Sequence, residues 1–426
     1  MSKLDNYNCM IVSQYFTTIK DFINLEQVCK KFNGNMAKFH YNPIPLTLKT
    51  ITFFESLETL HIWQSNEENF GNDYMAQEKK RINQNTHYHI MQHPFKKLIK
   101  VCYPKMVMLT PSYWFPNASV AFYNIIVWHQ VDYQVVIDNK DKNVIFKNVK
   151  LTTKSEQESC GNIPKVVTEV GMQLFKNDKM TFIEIPKYVT RLYTSAFDSC
   201  TNLTRVVFPD NLYEIGNFCF CGCINLADVV LPSRLNKIGM DAFSQCKMTS
   251  ITIPQFVTLI PINCFKDCKT LKEVKLHNNI VGLNQFCFSG CVELCHIDIP
   301  SSVKSIDIGV FKNCRKLKSV TLPSEICIIQ NFLFNGCDEL CEIKICEKVQ
   351  RLGTYCFKDC RSLKEFSIPI GVKSVANGCF EGCAMLSKVD ISSTVETIGR
   401  NCFKGCVLLP SITLPLTVKS YGQSII

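Results

Sequence analysis

No apolar run in the chain is long enough to cross a bilayer. The longest nearly unbroken one, Ala118 to Trp128, is interrupted by Ser119 and Asn124 and falls far short of the ~20 residues a spanning helix needs. The opening residues lack a basic stretch followed by an apolar segment, because Asp5, Asn6 and Asn8 intervene, so no secretory signal is read there. No lipidation signal is read at Met1-Ser2 or at Gln423 to Ile426. A Gly-rich phosphate loop, a serine elbow and a recognisable pair of carboxylates are missing, which removes the common enzyme signatures. Charge is sparse, at 20% of residues, and the net +10 comes from 47 basic against 37 acidic residues spread along the chain without a basic block. With 46% hydrophobic residues the chain is not disordered as a whole. The expectation is a cytoplasmic, non-enzymatic protein with no membrane span, no cofactor and no nucleic acid.

What the chain does have is 25 cysteines. An odd number in a long chain without an export signal does not read as a secreted disulfide framework. Their positions follow a repeat. Phenylalanines fall at Phe197, Phe220, Phe243, Phe265, Phe288, Phe311, Phe334, Phe357, Phe380 and Phe403, a step of 23 residues and once of 22. Three residues after each comes a cysteine, from Cys200 and Cys223 through to Cys383 and Cys406. A weaker unit precedes them, with Ile163-Pro164, Val167, Val170 and Phe175 but Asp178 in the cysteine position. The array therefore spans 158–426 in about eleven coils.

Within a unit the pattern is Leu294, Ile297, Ile299-Pro300, Val303, Ile306, Phe311 and Cys314. The alternation of Ile297, Asp298 and Ile299 predicts a short strand with one face inward, ended by Pro300, which has no N–H for a ladder. Val303 and Ile306 fall on a second extended or turning segment, and Phe311 and Cys314 stand about one helical turn apart. One apolar side of each unit can be covered only by a neighbouring coil, so the units stack. The fold class expected is an α/β repeat solenoid with short parallel strands.

The motif Leu-x-x-Ile-x-Ile-Pro-x-x-Val-x-x-Ile-x-x-x-x-Phe-x-x-Cys, as in Leu294 to Cys314, resembles the leucine-rich repeat class named after the BspA surface proteins, found in bacteria and parasitic protists. The resemblance implies a right-handed solenoid of parallel strands that binds other macromolecules and, in several members, serves cell-surface adhesion. His277, Cys346 and Ser392 depart from it where the strand-ending Pro would stand.

The cysteines have two readings. Pairs such as Cys264/Cys268 and Cys356/Cys360 have the i, i+4 spacing of a thiolate metal site; equally, a cysteine column can be small apolar packing. Cys295 and Cys341 lie off the column and are expected to be exposed. A longer period of 46 residues gives a basic flank of Lys266, Lys269, Lys272, then Lys312, Arg315, Lys318, then Lys358, Arg361, Lys364, which either meets an acidic partner or is a solvated face. The outward strand positions form a second candidate surface, polar and without an aromatic row for stacking bases: His296, Asp298, Thr321, Glu342, Lys344, Glu365, Lys388 and Asp390, with Ser319 and Ser367.

Residues 1–40 read as two short amphipathic helices, the second capped by Asp21. The string Leu4-Asp5, Ile11, Tyr15-Phe16, Asp21-Phe22, Leu25 and Val28 to Phe32 resembles an F-box, with Asp5 where that family has Pro. The resemblance implies docking of Leu4, Ile11, Leu25 and Val28 on an Skp-type adaptor; a helical cap on the array is the other reading. Residues 41–157 suggest an irregular α+β region or degenerate repeats, with a hairpin turning at Asp138 to Asn143. His87, His89 and His93 lack neighbouring ligands and read as loop rather than metal site. Function is accordingly expected to be protein binding along the solenoid, with a ubiquitin-ligase substrate receptor and a cell-surface adhesin as rivals. The final coil, Ile412 to Tyr421, is incomplete and suggests fraying or self-association through the C-terminal coil.

Overall fold

The computed structural model describes residues 13, 15–28, 35–47, 49–54, 56–70, 72, 122–153, 162–410 and 412–422. The chain divides into two units, Met1–Val149 and Lys150–Ile426.

In the first unit, helix Ile19–Val28 starts one turn earlier than an Asp21 cap would place it. Asp21 instead lies in the first turn, where its carboxylate accepts the Thr18 N–H at 3.0 Å and the Thr18 hydroxyl at 2.8 Å. That supplies a partner for a donor that has none within the helix. The apolar side of the helix buries Phe22, whose ring meets Phe16, Phe39 and Phe54 edge-on at 5.1, 5.8 and 5.6 Å. Beyond it, Thr59–Ile62, Asn124–Val127 and Val144–Phe146 pair in parallel, and Tyr41 bridges Thr59. Leu60, Ile62, Ile125 and Val127 point inward and are buried.

Parallel coils thus begin well before residue 158, and the solenoid makes about thirteen turns of ~23 residues rather than eleven. The count from sequence was short because early coils have the strands without the Phe and Cys columns. The hairpin at Asp138 to Asn143 is not formed. Tyr133–Asp138 is a short helix, capped by Asp132, which accepts the Gln134 N–H at 2.9 Å, and closed by Asn139, whose amide donates to the Val135 carbonyl at 2.7 Å. The Asp-Asn-Lys sequence ends a helix here, a role the same residue types serve as well as a hairpin turn.

Each coil of the second unit has three sides. A first strand, such as Ser319–Thr321, turns one side chain inward and two outward; a second, such as Ile328–Ile329, follows. The third side carries the Phe and Cys columns. The expected repeat solenoid of short parallel strands is present, and no helix lies within these coils among the described residues, so it is a parallel-strand β-solenoid. The one-turn spacing of Phe311 and Cys314 comes from paired left-handed residues instead. In each coil a residue two before and one two after the column Phe has positive φ, as with Gly309 and Asn313, Phe332 and Gly336, or Gly378 and Gly382. Gly, Asn and Asp accept that conformation most readily. It aims alternate N–H groups at the next coil: Gly309, Phe311 and Asn313 donate to the carbonyls of Asn331, Leu333 and Asn335 at 3.0, 3.0 and 2.7 Å.

Two side-chain ladders run inside this third side. Phe175 to Phe403 stack ring on ring with centroids 5.1 to 6.2 Å apart and planes within 11° of parallel. Every column cysteine donates its Sγ–H to the carbonyl of the column Phe one coil back, as Cys314 does to Phe288 at 3.2 Å and Cys337 to Phe311 at 3.1 Å. The thiols are therefore more than small apolar fillers: each satisfies a buried carbonyl lone pair.

The strand sides are less continuous. First strands form the groups Phe182–Glu184 with Arg205–Val207 and Asp228–Val229; Ser250–Thr252 with Glu273–Lys275; Ser319–Thr321 with Glu342–Lys344; and Glu365–Ser367 with Lys388–Asp390. Second strands break after Lys237–Ile238 and again after Ser305–Ile306. Among the described residues of the second unit only the boundary following Lys237–Ile238 interrupts both sheets at once. It is also the coil with the 22-residue step: Met248 fills the buried leucine column two residues after Cys246, whereas Leu226 and Leu271 stand three after Cys223 and Cys268. On the third side the ladder continues across it, from the N–H groups of Asp241, Phe243 and Gln245 to the carbonyls of Ile262, Cys264 and Lys266 at 2.9, 3.0 and 2.8 Å.

Candidate interaction surface

The first strands carry the outward positions singled out from sequence to one face. His296, Asp298, Thr321, Glu342, Lys344, Glu365, Lys388 and Asp390 are all exposed there. Side chains two residues apart meet within these strands: His296 hydrogen-bonds Asp298 at 2.8 Å, Glu342 pairs with Lys344 at 3.7 Å and Lys388 with Asp390 at 3.4 Å. Such exposed pairs leave the face polar but nearly neutral, and each adds little stability.

The basic flank is also assembled, and also partly neutralised. Asp338 lies 4.0 Å from both Arg315 and Arg361, Glu339 lies 4.0 Å from Lys318, and Glu381 lies 2.9 Å from Lys358. Lys312 sits over the Phe332 ring at 5.4 Å. Among the described residues Lys266, Lys269, Lys272 and Lys364 have no carboxylate within ion-pair distance. The intervening coils thus supply acids that a reading of every second coil overlooks.

A third charged row went unnoticed in the sequence. Along the second strands Arg191 lies 3.6 Å from Glu169 and 2.8 Å from Glu214, and Lys237 lies 2.8 Å from Glu214. Tyr193 donates to Glu169 at 2.9 Å and holds Lys150 over its ring at 3.9 Å. The hydrogen bond to Tyr193 and the flanking carboxylates push Arg191 above its ordinary value. The signal was present as alternating sign at the repeat spacing, Glu169, Arg191, Glu214, Lys237.

Burial holds most of the column thiols protonated, whereas Cys406, the last of the column, is lowered by its hydrogen bond with Cys383. Burial pushes Cys268 up to about 12 and raises Cys246, Cys291, Cys337 and Cys360 well above the ordinary thiol value. These five are protonated at neutral pH, and the thiolate is the nucleophilic and metal-binding form. No cluster of three or more metal-ligating side chains occurs among the described residues. Cys295 and Cys341 are exposed as expected, together with Cys327. Leu4, Ile11, His87, His89 and His93 lie outside the described residues. Leu25 is half-buried, and Val28 ends its helix. Among the described residues no helix is long and apolar enough to cross a membrane.

An apolar opening lies at the double break. A cavity of about 750 Å³ is lined there by Val229, Val230, Leu231, Ile251, Ile253 and Phe256. Val230 and Phe256 are 76% and 60% exposed, in contrast to the polar outward residues of later coils. A second cavity, of about 540 Å³, opens at the shortened turn between Ile224, Lys247, Asp267 and Thr270.

Stacked parallel strands, a regular coil and an uninterrupted column of buried rings define a leucine-rich repeat solenoid. The model of the BspA type leucine rich repeat region matches residues 143–271, 236–364 and 327–426, more than half of the chain, and the chain belongs to that family. Solved structures similar to it include a leucine-rich repeat protein from Bacteroides ovatus, 25% identical over 62% of this chain and 89% of that one, with a TM-score of 0.38. A leucine rich cell surface protein from Faecalibacterium prausnitzii is 23% identical over 65% and 91%, with a TM-score of 0.44. A leucine-rich repeat protein from Eubacterium ventriosum is 18% identical over 65% and 81%, with a TM-score of 0.45. No curated protein matches the chain.

Proposed function

We propose that the chain is a non-enzymatic scaffold that binds a protein partner along the outward face of its first strands. The observation carrying this reading is the contrast between exposed apolar Val230 on that face, with Phe256 in the following turn beside a cavity, and the polar row from His296 to Asp390. An apolar anchor flanked by a polar rim is the anatomy of a protein-binding patch. The basic flank is the lesser candidate, because acids from intervening coils already occupy part of it. The adaptor-docking reading of residues 4–32 lacks such support: helix Ile19–Val28 spends its largest apolar side chain, Phe22, against Phe39 and Phe54 of its own unit. The reduced, buried thiols favour a reducing compartment, and the cytoplasm is the proposed location over the cell surface.

The test is affinity capture with quantitative mass spectrometry, comparing the native chain with Val230→Lys/Phe256→Glu and with Lys269→Glu/Lys364→Glu. A partner lost with the first variant and kept with the second supports the strand face. Loss only with the second moves the site to the flank.

A further inference from the structure

We propose that the solenoid is jointed: it consists of two rigid stacks, ending at Lys237–Ile238 and resuming at Ser250, hinged along the Phe and Cys side. Three independent observations meet at this boundary. The coil is one residue short between Cys246 and Met248, so Ser250–Thr252 enters its sheet a residue early. Neither sheet is continuous across it, since Asp228–Val229 and Ser250–Thr252 belong to separate sheets, and so do Lys237–Ile238 and Leu259–Ile260. Cavities open on both flanks of the same step.

What still crosses the boundary is concentrated on the third side. The three N–H bonds from Asp241, Phe243 and Gln245 persist, Cys268 donates to the Phe243 carbonyl at 3.1 Å, and the rings of Phe243 and Phe265 stack at 5.9 Å. One further bond, from the Lys247 N–H to the Leu226 carbonyl at 2.9 Å, lies beside the shortened turn. Every other boundary from Arg191 to Ser420 keeps at least one strand sheet paired, or a bridge such as His296 with Ser319, in addition to this side. A stack held on one side and free on the other two bends about the held side. Closing and opening the strand side changes the curvature of the outward face and the width of the cavity between Val230 and Phe256. The residues that act are thus the short turn Cys246 to Thr249 as pivot and the two broken strand pairs as the moving lips.

The experiment measures distance distributions by pulsed electron resonance on the full chain, with nitroxides attached to non-canonical amino acids so that the native cysteines are untouched. One pair, at Asp210 and Ser301, spans the boundary; the other, at Ser301 and Ser393, spans the same number of coils without a double break. All three positions are exposed and occupy the same column after the first strand. The spanning pair is expected to give a distribution at least twice as broad as the control pair. Inserting one Asn between Lys247 and Met248, which restores the common repeat length, is expected to narrow it to the control width. Equal widths in the native chain overturn the joint, and so does a folded insertion variant that keeps the broad distribution. Should the insertion prevent folding, the native comparison alone decides.

Discussion

The turn side and the strand sides of the same coils are built on opposite terms. On the turn side the chain path is set residue by residue: two left-handed positions, a buried ring between them, a thiol that reaches one coil back and three inter-coil N–H bonds. On the strand sides the inward column is kept but the hydrogen-bonded sheets come in pieces, and the outward residues vary from Phe182 to His296 to Lys388. The lesson is that cohesion and variability are separated around the circumference of a coil. Side chains facing solvent on the strands can differ from coil to coil because the stack does not depend on them.

The most severe way to break this contrast is to remove a ring from the stack. Phe311→Ala deletes a fully buried side chain between Phe288 and Phe334 and is expected to cost about 3 to 5 kcal/mol, read by chemical denaturation. An unchanged midpoint would remove the turn side from its supporting role. The thiol ladder gives the next effect. Because burial raises the folded value of Cys268 to about 12, protonated thiol is favoured in the folded state. The associated stability is full below the unfolded thiol value and is lost as pH rises through the folded one. Each such thiol is expected to remove about 1.4 kcal/mol per pH unit above ~8.5. Denaturation at pH 7 and pH 10 checks this, and a flat profile would contradict buried thiols.

Smaller is Cys314→Ala, which leaves the Phe288 carbonyl without its Sγ–H donor at an expected cost of about 1 to 2 kcal/mol. Cys314→Ser should be less harmful than alanine if the hydrogen bond matters more than apolar volume, so the order of the two midpoints sharpens the comparison. Least of all, His296→Ala on the strand face breaks only an exposed pair with Asp298 and is expected to change stability by less than about 0.5 kcal/mol. A large loss there would mean that the outward face also holds the stack together.

Much of the turn side was legible from spacing, because burial forces Phe311, Cys314 and their equivalents to keep their identity in each coil. The left-handed positions were not, since Gly, Asn, Asp, Ser, Gln, Phe and Tyr all occupy them and no single residue type marks the column. The early coils were readable only as an irregular α+β region or degenerate repeats, for the related reason that Leu60, Ile125 and Val149 carry strand packing without a ring or thiol to set the phase. The outward face was placed correctly from the alternation around Asp298. Its internal pairing was not, because a sequence does not say whether Glu342 meets Lys344 or a solvent molecule. The short coil was visible as a step of 22, yet its effect depends on which ladders absorb it. That is a property of three dimensions.

The five-residue span from one left-handed position to the other also governs how such a gene can lengthen. Whole coils copied in tandem present the same socket and the same plug at each junction, so duplication leaves every existing interface as it was. A lone codon lost outside the span, as before Met248, merely loosens two seams. The same loss between Gly309 and Asn313 would turn Phe311 out of its stack and misalign every donor with its acceptor. Coil length is therefore constrained along one edge of this ribbon and free along the rest.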